Sequence, residues 1–386
     1  MVYYLGYYSC DQIAQEKCSA SPPAKNKMGY VISALSTIKD EKTVVVSPAE
    51  TSSCHLVRGT ENNINESVSI KTFPSVSSRF WLIRCFGHLL TRICLYHFLL
   101  TKIQSDDILL VYHSLALMNI VRMVKRKTRC KLVLEVEEIY ADVKEDNKLR
   151  EKEVDYLQEA DAYIVITELV NNAINPQKKK SILSHGSYQV SEKCGTKFQD
   201  GKVHAVYAGT FNPIKGGVYS AIEAAEFLDE NYVLHVLGKR SQEETDNVIR
   251  KIDQISGKTK CKIIYEGYRF GSDFNGFIQA CDIGLSTQQP NGKYNESSFP
   301  SKILMYMTNG LPVVSVKIPA VETSRVGEFV SYYCEPTPQK IAEAIRSVPA
   351  ANEERIYQKL NELDGDFKRE LCELLKHEKY LDEIVS

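Results

Sequence analysis

Tryptophan occurs once in the 386 residues, at position 81, and no two cysteines form a C-x-x-C pair. That spacing excludes zinc ribbons and thioredoxin-type redox chemistry. The eleven cysteines are scattered singly. An odd count of this kind predicts reduced thiols in a cytosol rather than a disulfide framework. The start, Met1-Val2-Tyr3-Tyr4-Leu5-Gly6, lacks a basic stretch followed by a long apolar core. It reads as a first strand and not as an export signal. Net charge is also lacking: a formal value of −1 gives no global pull toward nucleic acid or membrane, so any such attraction must be local. There is no P-loop, internal repeat or low-complexity tract. The longest apolar stretch, 79–100, is interrupted by Arg84 and Arg92. Each arginine would cost about 2.5–3.5 kcal/mol on insertion scales, which excludes a spanning helix.

What is present suits a two-domain α/β protein. The hydrophobic content of 43% and charged content of 25% are those of a globular chain. Its length exceeds one ordinary core. The chain is organised around the run from Ser297 to Val316, in which loop, helix and strand follow in order. Ser297 and Ser298 suit the start of a helix, and Pro300 its first turn. Ile303, Leu304 and Met307 recur at helical spacing. Gly310 suits the position after the helix, and Pro312 follows where the helix cannot continue. Val313-Val314-Ser315-Val316 reads as a buried strand. A helix start of this kind can hold a phosphate, and Lys302 adds a positive charge there. An ordinary αβ unit with a surface lysine fits the same spacing.

The run Phe299-Pro300-Ser301-Lys302-Ile303-Leu304-Met305-Tyr306-Met307-Thr308-Asn309-Gly310-Leu311-Pro312-Val313-Val314-Ser315 resembles the nucleotide-sugar site of family-four glycosyltransferases. Its Phe-Pro-Ser-Lys version is similar to a branch found among bacterial polysaccharide enzymes. The resemblance implies the GT-B fold: two Rossmann-like domains facing a cleft, with a C-terminal helix crossing back to the first. The expected domains are 1–195 for the acceptor, 196–355 for the nucleotide sugar, and 356–386 for the returning helices. The family carries two glutamates in this region. Counting back from Gly310, their positions fall on Ser297 and Met305, with Glu296 one residue from the first. The usual sugar-hydroxyl contact then falls to Glu296, and the usual ribose contact has no counterpart.

The other candidate residues follow along the chain. Lys25, Asn26 and Lys27 stand in the loop expected after the first strand. There the resemblance implies acceptor contact, and solvated lysines are the alternative. The stretch 79–100 is either a core helix or a basic amphipathic helix on a membrane surface. The strand Lys131–Tyr140 ends in carboxylates, and ligands of open α/β sheets bind beyond strand carboxyl ends. Glu137 occupies the place of the family's histidine near the reacting sugar, and Glu138 follows; a solvated turn is the alternative. The polar run Ser191–Lys202 reads as a linker. In Tyr207-Ala208-Gly209-Thr210-Phe211-Asn212-Pro213-Ile214-Lys215-Gly216-Gly217, Gly209 allows close approach of a ligand. Lys215 and Gly216 match the family's Lys-Gly pair on the pyrophosphate, while Thr210 replaces its arginine. Lys302 is the cation left to compensate. Tyr268 either stacks on the base or is a plain loop aromatic. Ser298, Phe299, Pro300, Ser301 and Lys302 complete the donor site.

The resemblance implies a retaining sugar transfer from a nucleotide sugar, UDP-linked, to a glycan or lipid-linked acceptor. No cofactor is expected, and no Asp-x-Asp metal motif stands where such enzymes need it. The expected setting is the cytoplasm, including the inner membrane face, with no nucleic-acid partner. A non-catalytic partner subunit that kept the fold is the alternative, suggested by Ser297, Met305 and Thr210.

Overall fold

A computed structural model describes residues 1–9, 22–39, 41–48, 56–76, 78–144, 146–213, 216–289, 298–349 and 353–376. The chain divides into two compact units, Met1–Ser187 with the chain from Gly365 onward, and Tyr188–Asp364.

The strands of the first unit are β1 (Val2–Leu5), β2 (Thr43–Ser47), β3 (Leu56–Val57), β4 (Glu61–Asn63), β5 (Val68–Thr72), β6 (Ser75–Val76), β7 (Ile108–Tyr112), β8 (Lys131–Val136), β9 (Ala162–Val165) and β10 (Ser181–Leu183). Eight of them form one sheet in the order β10-β9-β8-β7-β1-β2-β5-β4, parallel throughout except at β4–β5. The second unit holds β11 (Val203–Ala208), β12 (Tyr232–Leu237), β13 (Lys262–Gly267), β14 (Ile283–Ser286), β15 (Val313–Val316) and β16 (Val330–Tyr333). They form a wholly parallel sheet in the order β13-β12-β11-β14-β15-β16. Helices cover both faces of such sheets, so their strands read as continuous apolar runs. Val2–Leu5 and Val313–Val316 are buried at every position for this reason. Strand order reverses between β1 and β7 in one sheet and between β11 and β14 in the other. Switch points of this kind open a crevice at the strand carboxyl ends.

Several sequence expectations shift. The first helix begins at Pro22, so Lys25, Asn26 and Lys27 lie on a helix and not in a loop. Proline is at home in a first helical turn, which is why the pair opens the helix instead of delaying it. The helix expected over 79–100 runs from Trp81 to Lys102, and Ser75 and Val76 before it form strand β6. The polar stretch before it contains β5, where Val68 and Ile70 are buried and alternate with outward Ser69 and Lys71. The run Ser191–Lys202 belongs to the second unit and straps its helix Gly271–Ala280. The amides of Cys194 and Gly195 both donate to Gln279 Oε1 at 2.8 Å, and Phe198 stacks on His204 at 4.0 Å.

Only one stripe of the helix Trp81–Lys102 is buried, namely Gly87, Thr91, Leu95 and Leu99. Phe80, Trp81, Leu82, Ile83, Phe86, Leu89 and Ile93 are exposed, Phe80 at 72%. No helix among the described residues is long and apolar enough to cross a membrane.

The last helix, Glu353–Leu375, begins in the second unit and ends in the first. Its Phe367 stacks on Tyr30 at 5.0 Å, and Leu371 and Leu374 are buried. Lys131 and Lys180 donate to the carbonyls of Leu374 and Glu373, at 2.7 and 2.9 Å. Lysines so placed satisfy the open carbonyls and the negative end of the helix.

Candidate functional site

In the second unit, the candidate donor residues gather at the carboxyl end of β11. Helix Ser301–Met307 lies over the switch point, and two of its residues, one turn apart, fill the crevice. Lys302 Nζ donates to Ala208 O at 2.7 Å and lies 4.3 Å from the centre of the Tyr207 ring. Tyr306 Oη accepts from Ala208 N at 2.8 Å and donates to Leu285 O at 3.3 Å. The hydroxyl thus stands in for the ladder bonds that β11 and β14 give up as they part. Their pairing runs only through Ala205–Val206 and Ile283–Gly284. Two glycines make this possible. A Cβ on Gly284 would lie 2.2 Å from the Tyr306 ring, and one on Gly209 would lie 1.8 Å from Lys302 Nζ. Gly209 also has φ +148°, which a side chain would strain. The ammonium therefore occupies space that only glycine leaves open. Lys302 and Gly209 are brought together as one feature.

Around them, Thr210 is exposed beside Gly209, and Gly216 caps the helix Gly217–Ala224 with φ +61°. Tyr268 is exposed, with Lys239 Nζ 4.2 Å from its ring centre, and Phe270 lies 6.4 Å away. Arg240 Nη1 donates to Phe211 O at 3.5 Å. The carboxylate of Glu266, near this edge, is taken up by His235 at 2.9 Å and Arg269 at 3.0 Å. Ser298 and Pro300 are half-buried, Phe299 is buried and Ser301 is exposed. The helix starts at Ser301 with Pro300 as its cap, so Ser298 stands before the first turn and not in it. Met305 is half-buried, its carbonyl accepting from Asn309 Nδ2 at 2.8 Å. Lys215 and Glu296 lie outside the described residues.

In the first unit, the end of β8 carries carboxylates. Glu137 and Glu138, both half-buried, directly follow the strand. Lys27 is buried, 4% exposed, and is no surface lysine. Its Nζ donates to Ser184 O and to Ser184 Oγ, each at 2.7 Å, and lies 3.4 Å from Glu137 Oε1. Lys25 is half-buried and Asn26 exposed on the same helix. Two residues before Glu137, within β8, Glu135 is fully buried and accepts a hydrogen bond from the Tyr4 hydroxyl. Burial pushes Glu135 up to about 7, opposed by Lys27 and reinforced by Glu137. Burial also raises Glu137, and Lys27 pulls it back. Tyr4 and Tyr112 are held well above the usual phenol range, by burial first and then by these carboxylates.

Sequence reasoning had missed Glu135, Tyr4, Ser184 and Tyr306. The period-two spacing of Glu135 and Glu137 on a strand, and the one-turn spacing of Lys302 and Tyr306 on a helix, were signals that could have found two of them. Nothing local marks Tyr4 or Ser184, which meet the site through tertiary contact.

Residues 202–349 match the family model for glycosyl transferases group 1. The chain is a glycosyltransferase. No curated protein sequence matches it. Among solved structures, it resembles OtsA in its apo form at 11% identity, with 97% of this chain and 99% of that one covered and a TM-score of 0.68. It also resembles the Escherichia coli trehalose-6-phosphate protein bound with UDP-2-fluoro glucose, at 11% identity, 99% and 98% coverage and a TM-score of 0.65. The Burkholderia multivorans α,α-trehalose 6-phosphate synthase matches at 10% identity, 97% and 98% coverage and a TM-score of 0.66. At such identities the likeness speaks for the fold, which is GT-B with two Rossmann-like domains. The glycosyltransferase match lies within the second of the two units, where Lys302 and Gly209 meet.

Proposed function

We propose that this glycosyltransferase moves a sugar from a nucleotide-sugar donor, with a UDP-sugar the favoured form, to a glycan or lipid-linked acceptor in cell-surface polysaccharide synthesis. The single observation that carries the donor half is the ammonium of Lys302 held against Gly209 at the β11 carboxyl end. A fixed cation over a glycine that lets backbone approach is what a departing diphosphate requires, because charge develops there in the transition state. Lys215 is assigned the same task by its match to the family's Lys-Gly pair alone. Tyr268, backed by Lys239, offers a ring to the base. Glu137 orients the donor sugar, and Glu138 and Glu296 are assigned sugar contacts on the resemblance alone. Lys25 and Asn26 are assigned to the acceptor. We take the transfer to proceed with retention and without a metal ion, the leaving phosphate receiving the acceptor proton. The likeness to a protein solved with UDP-2-fluoro glucose supports the choice of donor.

We assign the acceptor to a membrane surface on the cytoplasmic side because of the helix Trp81–Lys102. Its exposed apolar side chains stand among exposed Arg79, Arg84 and Arg92, a pattern suited to the boundary of an anionic bilayer. Vesicles rich in anionic lipid should pull the protein down at low salt and release much of it at high salt. Equal partition into neutral vesicles would remove the electrostatic part of this assignment.

The transfer itself is tested by donor turnover with a panel of nucleotide sugars on the purified chain and on Glu137→Gln. One donor should be consumed, and the variant should lose most of that rate while still binding the nucleotide. If no donor is consumed and no nucleoside diphosphate binds, the non-catalytic partner reading replaces this one.

A further inference from the structure

Lys27 is one cation set among two carboxylates, and its hydrogens can be counted. An ammonium has three N–H donors. Two go to Ser184, at 2.7 Å each, and the third faces Glu137 Oε1 at 3.4 Å. None is left for Glu135. That side chain is fully buried, receives only the Tyr4 hydroxyl on Oε2, and its Oε1 has no hydrogen-bond partner among the described residues. An ionised carboxylate so placed would hold a desolvated charge on one neutral donor, and a buried acid in that position keeps its proton instead.

We propose that Glu135 keeps its proton as a neutral carboxylic acid beside Glu137 until the pH rises through neutrality, and that this proton leaves Lys27 to Glu137. The titratable groups facing Glu135 agree with this reading. Tyr4 on β1, Tyr112 on β7 and Tyr140 after β8 are all held above the usual phenol range, burial being the main cause, so they contribute dipoles and no charge. Lys27 lowers Glu135 and Glu137 raises it, while burial outweighs both and sets it at about 7. With Glu135 protonated, the cluster holds one cation and one anion. When Glu135 releases its proton to solvent, two anions share one ammonium, and Glu137 loses part of its counter-charge. Glu135 is thus a positioning residue that acts on Glu137 through Lys27. Its effect on transfer rests on the role proposed above for Glu137; its protonation does not.

The test is infrared difference spectroscopy of the full chain across a pH titration, with the pH profile of kcat measured in parallel. The wild type should show the carbonyl stretch of a buried carboxylic acid, disappearing with a midpoint near neutrality, and Glu135→Gln should lack that band. The alkaline limb of kcat should be absent in Glu135→Gln or move upward by about one pH unit. A wild type with no such band, a Glu135→Gln variant that keeps it, or an unmoved alkaline limb would each overturn the proposal. If Glu135→Gln does not fold, Tyr4→Phe serves instead. It removes the donor that favours the ionised form, so the midpoint should rise, and an unchanged midpoint counts against the proposal. If no donor is ever consumed, the transfer reading fails by itself while the band still decides the proton.

Discussion

The two sheets end differently, although both are parallel and both reverse strand order once. At the first, Glu135, Glu137 and Glu138 cluster at the end of β8 around the buried cation of Lys27. At the second, Lys302 lies over the end of β11 and Lys239 and Arg240 follow β12, while the nearby carboxylate of Glu266 is already taken up by His235 and Arg269. One edge is acidic and internally paired; the other is basic and built on a glycine. The contrast divides the chemistry. A diphosphate is suited to the second edge, where a cation is fixed at the backbone. The first edge is suited to hydroxyls, which carboxylates accept from, and its charge state depends on proton occupancy.

The acidic edge breaks most severely at Lys27. Lys27→Met leaves buried carboxylate without its partner, and loss of one member of a buried pair costs about 3–5 kcal/mol. Without Lys27 the folded-state values of Glu135 and Glu137 rise further above 4.5. The variant should therefore keep its stability in acid and lose it progressively as pH rises, which urea unfolding at several pH values would read. A uniform loss at all pH values would mean that the lysine acts by packing alone.

A smaller effect is expected at Gly209. An added Cβ there would lie 1.8 Å from Lys302 Nζ, on a backbone at φ +148°. Gly209→Ala should displace the lysine, cost about 1–3 kcal/mol through strain and overpacking, and weaken UDP binding. Unfolding and titration together would show whether both losses occur, and binding at wild-type strength would separate Lys302 from the nucleotide. The smallest effect concerns Thr210, which is exposed beside that glycine. Thr210→Arg would sharpen the contrast by adding a cation to the basic edge. A solvent-exposed charge contact is worth about 0.2–1 kcal/mol, so UDP affinity should rise by about 1.4- to 5-fold. Tighter binding that persists undiminished at high salt would argue against an electrostatic origin.

Most of both sheets was legible in the sequence because strands buried on two faces are continuous apolar runs, as in Leu109-Leu110-Val111 or Val313-Val314. β5 escaped because half its residues are polar and face outward, and β16 because Val330-Ser331-Tyr332-Tyr333 carries no such run. Lys302 and Gly209 were both readable as separate candidates, but their contact was not, since 93 positions part them in the chain and only the sheet order joins them. Lys27 was expected in a loop, at the acceptor or in solvent, whereas the fold turns it inward to Ser184 and Glu137. Tyr4 reads as a plain strand residue, and its bond to Glu135 arises only when β1 and β8 are placed two strands apart in one sheet.

The central claim is that the basic edge grips a diphosphate through Lys302. Calorimetric titration of UDP and of uridine into the wild type and Lys302→Ala tests it most directly. UDP should bind the wild type far more tightly than uridine does. The substitution should weaken UDP by about 10- to 150-fold, the value of a charge-assisted contact, and leave uridine unchanged. Equal affinities for UDP and uridine, or a Lys302→Ala variant that binds UDP as the wild type does, would contradict the account.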